Sequence, residues 1–249
     1  MINSNRGVAT AHRLRKELKI DFNSRVDLIE VANQLSIKIK YHDLGPGIDG
    51  ACKSVGLNRL VVLKPNPTNQ KKERFTLAHE IGHLLIHHAS FLCESDAFSF
   101  FRTYNNEEQE ANEFAAEFLL PSQACHDVLG KTDLEFSIIA QISEKFDTSL
   151  AVAAIKLTKL FGDNAAILLH DGKKIKWAVK SESCDFNLLK IVPDMALAHR
   201  ANKNERSVKG NIDPAVWIEN DSENLICEEE TNYFVKYKDY MTVLKFYED

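Results

Sequence analysis

His79-Glu80-Ile81-Gly82-His83 reads HExxH, and its surroundings are helical. Arg74-Phe75-Thr76-Leu77-Ala78 before it and Leu84-Leu85-Ile86 after it carry apolar residues at helical spacing, and no proline interrupts between Asn69 and Phe91. Residues four apart on a helix lie nearly above one another, so His79 and His83 share a face and can grip one zinc ion. Glu80 stands one step round, where a carboxylate reaches a water at the metal without ligating the metal itself. Gly82 inside the helix costs about 1 kcal/mol relative to Ala; a small residue there lets another segment come close. The five residues by themselves also admit a plainer reading, a helix with two half-buried histidines bonded to backbone, and the rest of the chain has to decide between them.

The whole-chain properties set the frame. A chain of 249 residues can bury a real core as one large or two small domains. Its hydrophobic content of 44% and charged content of 27% are ordinary for a soluble globular protein, and a net charge of −5 gives no general reason to bind nucleic acid or anionic membrane. Cys52, Cys93, Cys125, Cys184 and Cys227 are odd in number, widely spaced and never arranged as CxxC, which argues for thiols in a reducing compartment and against a zinc ribbon or disulfide scaffold. Residues 1–19 carry charges throughout and have no apolar core of a signal peptide, and no apolar run approaches the ~20 residues that span a bilayer. The expectation is a cytoplasmic protein.

Along the chain, Ala9 to Leu18 reads as an amphipathic helix, and Asp21 or Ser24 is placed to cap a second one through Leu35. Ser36–Tyr41, Ala51–Val55 and Arg59–Leu63 read as strands, followed by the HExxH helix. A small sheet leading into such a helix is the layout of a zincin-type peptidase core, by fold analogy. After an irregular stretch from His88 to Asn106, a helix from about Glu107 to Leu120 stops at Pro121. Two more helices follow, Thr132–Phe146 and Thr148–Phe161, with Thr148 as N-cap of the second. From Asn164 the period changes. Ala165–His170 and Lys173–Lys180 read as a hairpin joined by a type I′ turn at Asp171-Gly172, residues 188–211 as a loop with a short helix, and Leu225–Glu229 and Tyr240–Phe246 as strands. The acidic run Glu228-Glu229-Glu230 reads as a solvated segment. The fold class is therefore α+β. A zincin-like peptidase core covers 1–130, a helix-turn-helix-like pair 131–162, and a small α+β module 163–249.

A catalytic zinc site wants three protein ligands and an open position. A third histidine six residues after His83 is excluded, because that position is Ala89. His87 and His88 read as surface histidines. The helix before Pro121 offers Glu107, Glu108, Glu110, Glu113 and Glu117 beside the apolar stripe Ala111, Phe114, Ala115 and Phe118. Glu110 lies about 90° from the centre of that stripe, Glu107 sits where the helix frays, and Glu113 and Glu117 turn toward solvent. Geometry leaves the choice open.

Two longer motifs carry a resemblance. Glu73-Arg74-Phe75-Thr76-Leu77-Ala78-His79-Glu80-Ile81-Gly82-His83 resembles the ERFTxAHExGH run of the ImmA/IrrE family of metallo-endopeptidases, and Glu110-Ala111-Asn112-Glu113-Phe114-Ala115-Ala116-Glu117-Phe118-Leu119-Leu120-Pro121 resembles its EANxFAAxLLxP signature. Phe118 replaces the commoner Leu and keeps the position apolar. The resemblance implies that His79, His83 and Glu110 ligate zinc and that Glu80 is the catalytic glutamate. It implies a protein substrate, a helix-turn-helix transcriptional repressor in a phage-like element, a toxin–antitoxin pair or a stress response. It also implies a C-terminal module that in some members is GAF-like. Asn112 is placed to orient a ligand, and Tyr104, His126 and His170 are the candidates for stabilising an oxyanion.

Two other functions compete. A DNA-binding regulator would read bases from Ser149–Leu160, which offers Lys156, Thr158 and Lys159 but no Arg, Asn or Gln, so direct DNA binding is not expected. A non-proteolytic adaptor or antitoxin-like protein would keep the zinc fold without cleavage, and the intact Glu80 speaks against it.

Overall fold

The computed structural model describes residues 6–87, 91–94 (backbone only), 106–202, 204–219 and 224–248. The chain divides into two compact units, Met1–Ala124 with Ile142–Val152, and Cys125–Gln141 with Ala153–Asp249.

The first unit holds α1 (Arg6–Glu17), α2 (Leu28–Gln34), β1 (Ile37–Tyr41), β2 (Ile48–Val55), β3 (Asn58–Leu63), α3 (Gln70–Ile86), β4 (Phe91–Glu94) and α4 (Asn106–Leu119). Its sheet runs β1-β3-β2-β4, with β1 parallel to β3 and the other pairs antiparallel. The inward residues Val61 and Leu63 meet Leu77, Ala78, Ile81 and Leu84 of α3, and Phe114 and Phe118 of α4 close the same core. The α2 cap is Asp27 rather than Asp21 or Ser24: its carboxylate accepts from the amides of Ile29 and Glu30 at 3.0 and 3.1 Å. Arg15, wholly buried, donates from Nε and Nη2 to the Phe118 carbonyl at 2.9 and 2.7 Å, so it satisfies an end carbonyl of α4 and ties α1 to that helix. Glu117 is also wholly buried rather than solvent-facing; it accepts from the amide and hydroxyl of Ser122 at 2.9 and 2.7 Å, just past the stop at Pro121.

Three further helices, α5 (Ser122–Leu129), α6 (Phe136–Phe146) and α7 (Leu150–Leu160), run across the points where the chain divides. α7 begins later than expected. Ser149 rather than Thr148 supplies the cap, its hydroxyl accepting from the Val152 amide at 3.2 Å, while Thr148 is buried. Thr158, a candidate base reader, is wholly buried as well.

The second unit is built on a sheet in the order β6-β5-β9-β8-β7, formed by β5 (Ala165–His170), β6 (Ile175–Lys180), β7 (Ser207–Ile212), β8 (Leu225–Phe234) and β9 (Asp239–Glu248). Trp217, Leu168, Leu244 and Phe246 centre its core. The segment expected as a loop contains the 3-10 turn Leu197–Arg200 and all but the last residue of β7. The hairpin turn is wider than the two residues of a type I′ turn. The Asp171 carboxylate accepts from the amides of Lys173 and Lys174, His170 Nδ1 accepts from the Gly172 amide, and the pairing slips between Leu169 and His170. The acidic run is not a solvated segment. Alternation along β8 turns Cys227, Glu229 and Thr231 inward. The wholly buried Glu229 carboxylate accepts from the amides of Leu197 and Ala198, from Trp217 Nε1 at 2.7 Å and from the Thr231 hydroxyl. Glu228 pairs with Lys209 and Lys245, and Glu230 accepts from the Phe136 amide at the start of α6.

Candidate metal centre

The helix that carries HExxH starts where its sequence allows it to. Asn69 caps α3, accepting from the Lys72 amide at 3.1 Å, and Glu73 accepts from the Asn66 amide at 2.8 Å. From Leu77 to Leu84 every residue is buried. Gly82 is where α4 crosses: a Cβ there would lie 2.9 Å from the Phe114 ring. The expected close approach is thus made by Phe114, and it brings the first half of α4 over the two histidines.

Three donor groups converge. His79 Nε2 and His83 Nε2 are 3.0 Å apart, and the Glu108 carboxylate lies 3.2 Å from the first and 3.1 Å from the second. Zinc bonds of 2.0–2.1 Å in a tetrahedron would set ligand atoms about 3.4 Å apart, so the three groups need to move by only a few tenths of an ångström to hold zinc. The remaining ring nitrogens point outward and are engaged. His79 Nδ1 meets Asn112 Oδ1 at 2.9 Å, and His83 Nδ1 meets His87 Nδ1 at 3.1 Å. Both imidazoles therefore present Nε2 to the cluster, as metal-ligating histidines do when the other nitrogen is held by an acceptor.

The electrostatics agree with that chemistry. Burial lowers the His83 pKa, opposed by its hydrogen bond to Glu108. Burial works to raise the Glu108 carboxyl, but its hydrogen bonds to His79 and His83 outweigh that and hold it well below the usual carboxylate range. An imidazole pushed toward its neutral form beside an ionised carboxylate is what a cation site requires.

Glu80 is wholly buried on the sheet side of α3, beneath β2. The strand residue over it is Gly50, where a Cβ would stand 2.6 Å from Glu80 Oε1 and 2.6 Å from Thr76 Cγ2. The carboxylate occupies space that any other residue at position 50 would fill.

The remaining expected site residues fall as follows. Glu110 stands on the other flank of α4, with its carboxylate 2.9 Å from His87 Nε2 and 3.6 Å from Arg6 Nη1. The carboxylate beside the two histidines is Glu108, because two residues turn a helix by about 200°. Asn112 Oδ1 lies 2.9 Å from His79 Nδ1. His87 is not a surface histidine: its side chain is 4% exposed, covered by Glu110 and the end of α3. His88 and Tyr104 lie outside the described residues. His126 is exposed on α5, and His170 is buried in the second unit's sheet against Thr242. A signal for Glu108 was present. At 100° per residue it lies about 70° from the centre of the apolar stripe, nearer than Glu110, and Asn112 follows it by one turn on the same flank.

The family model described as Peptidase_M78, IrrE N-terminal-like domain, matches residues 32–158. No curated protein matches the chain. Among solved structures, a Mycobacterium tuberculosis transcriptional regulator superposes with a TM-score of 0.57 at 13% identity, over 96% of this chain and 75% of that one, a likeness of fold alone.

Proposed function

Because the chain belongs to the IrrE N-terminal-like family of M78 peptidases, we propose that it is a zinc-dependent endopeptidase with a zincin-type core, in which His79, His83 and Glu108 hold the metal and Glu80 is the general base. The observation that carries the reading is the convergence of two imidazole Nε2 atoms and one carboxylate within 4.8 Å of one another, each imidazole tied down through its other nitrogen. Glu110, which the motif resemblance puts forward as the third ligand, is the competitor, and the two carboxylates are separated by metal content.

Zinc, when bound, supplies Lewis acidity that acidifies water and polarises a scissile carbonyl. Glu80 takes the proton of the attacking water and returns it to the leaving amine. Its burial beneath β2 restricts the carboxylate to few positions, which suits a group that must act at one point. His79 and His83, each held through Nδ1, keep their Nε2 lone pairs for the metal.

The substrate we propose is a helix-turn-helix transcriptional repressor, whose cleavage relieves repression; the support is the motif resemblance. The test is capture. A Glu80→Gln chain, able to bind but not to cut, should retain its substrate during co-purification, and wild-type chain with zinc should then cleave the captured protein. A wild-type chain that holds zinc and leaves the captured partner intact would instead be an adaptor.

A further inference from the structure

We infer that His87 and Glu110 form a relay that positions His83 for metal binding, a role that neither motif assigns to them and that rests on the metal-site reading above. His83, His87 and Glu110 make a continuous chain, His83 Nδ1 to His87 Nδ1 at 3.1 Å and His87 Nε2 to Glu110 Oε2 at 2.9 Å. A carboxylate only accepts, so His87 donates to Glu110 from Nε2. A His83 that offers its Nε2 lone pair to the metal carries its proton on Nδ1 and donates it to His87 Nδ1. That leaves His83 Nε2 with its lone pair directed at His79 and Glu108.

The chain is anchored at both ends. Arg6 reaches Glu110 at 3.6 Å and donates to the Ile86 carbonyl at 2.7 Å, and the His87 amide closes the last turn of α3 on the His83 carbonyl at 3.0 Å. Burial of the His83 and His87 side chains, at 0% and 4% exposure, keeps water from replacing either link. His79 gets the equivalent support in one step from Asn112, whereas His83 gets it in two. His87 and Glu110 are thus positioning residues that act through His83.

Zinc affinity, measured by chelator competition alongside thermal unfolding of the metal-free chain, tests this. His87→Ala should weaken zinc by about 10–100-fold, with metal-free stability changed far less. His87→Gln, which can still accept from Nδ1–H, should recover part of the loss, and cobalt loaded into His87→Ala should show an altered ligand-field spectrum. Glu110→Ala should add nothing when combined with His87→Ala, because both act along one chain. Wild-type affinity in both His87→Ala and His87→Gln, or fully additive losses in the double variant, would overturn the relay while leaving the metal site intact. Zinc lost from Glu110→Ala but retained by Glu108→Ala would overturn the relay and the ligand assignment together.

Discussion

Asn112 Oδ1 accepts a hydrogen bond from His79 Nδ1 at 2.9 Å, one helical turn along α4 from the Glu108 carboxylate that faces both Nε2 atoms. A single flank of α4 thus supplies a proposed ligand and the group that orients another. Asn112→Ala should lower zinc affinity about 10–100-fold, and Asn112→Asp, which keeps an acceptor, should stay near wild type. Chelator competition checks both. An alanine variant with undiminished affinity would make the amide a packing residue.

Gly50 tests whether Glu80 needs its present place. Gly50→Ala puts a methyl group where Glu80 Oε1 now stands. With a proton-transfer group displaced by about 1 Å, kcat should fall on the order of 10²-fold, while zinc content and KM stay close to wild type. Steady-state kinetics on the captured substrate make the measurement. Loss of zinc in this variant would mean that the strand supports the metal ligands and not the base.

In the second unit, Glu229 is the structural keystone of the sheet face it occupies. Glu229→Ala leaves four donors, Trp217 Nε1 among them, without their acceptor. Each such buried group costs about 1–3 kcal/mol, so urea unfolding followed by Trp217 fluorescence should show a loss of at least about 3 kcal/mol. Glu229→Gln keeps one oxygen and should lose less. A change within experimental error in Glu229→Ala would show that water replaces the carboxylate.

His170 gives the same unit a pH dependence. Burial pushes its pKa down from 6.5 to about 4, only partly offset by Asp171. The unfolded chain therefore binds the proton more readily than the folded one. Stability is complete above pH 6.5, falls as pH drops toward 4, and changes no further below that through this group, a loss of about 3 kcal/mol in total. His170→Gln should flatten that part of the acid limb. An unchanged slope between pH 6.5 and 4 in the variant would assign it to other groups.

Much of this is legible in the sequence itself. His79, Glu80 and His83 follow from helical spacing, and the stop at Pro121 from the missing amide. What was hidden depended on neighbours. α4 packs against both α1 and α3, so its one apolar stripe does not say which flank meets the histidines, and Glu108 and Glu110 exchange roles on that point. β7 carries only Val208 and Ile212 as large apolar residues and is held in the sheet by its pairing with β8. Glu229 reads as solvated beside Glu228 and Glu230 until strand alternation turns it inward. The Asp171-Gly172 turn widened because the Asp171 side chain and His170 Nδ1 captured amides of the turn.

Zinc stoichiometry of purified chains, read by elemental analysis for wild type, Glu80→Gln, Glu108→Ala and Glu110→Ala, tests the central claim most directly. The metal site proposed here requires one equivalent in wild type and in Glu80→Gln, none in Glu108→Ala, and weakened but detectable zinc in Glu110→Ala. A full equivalent of zinc in Glu108→Ala would contradict it.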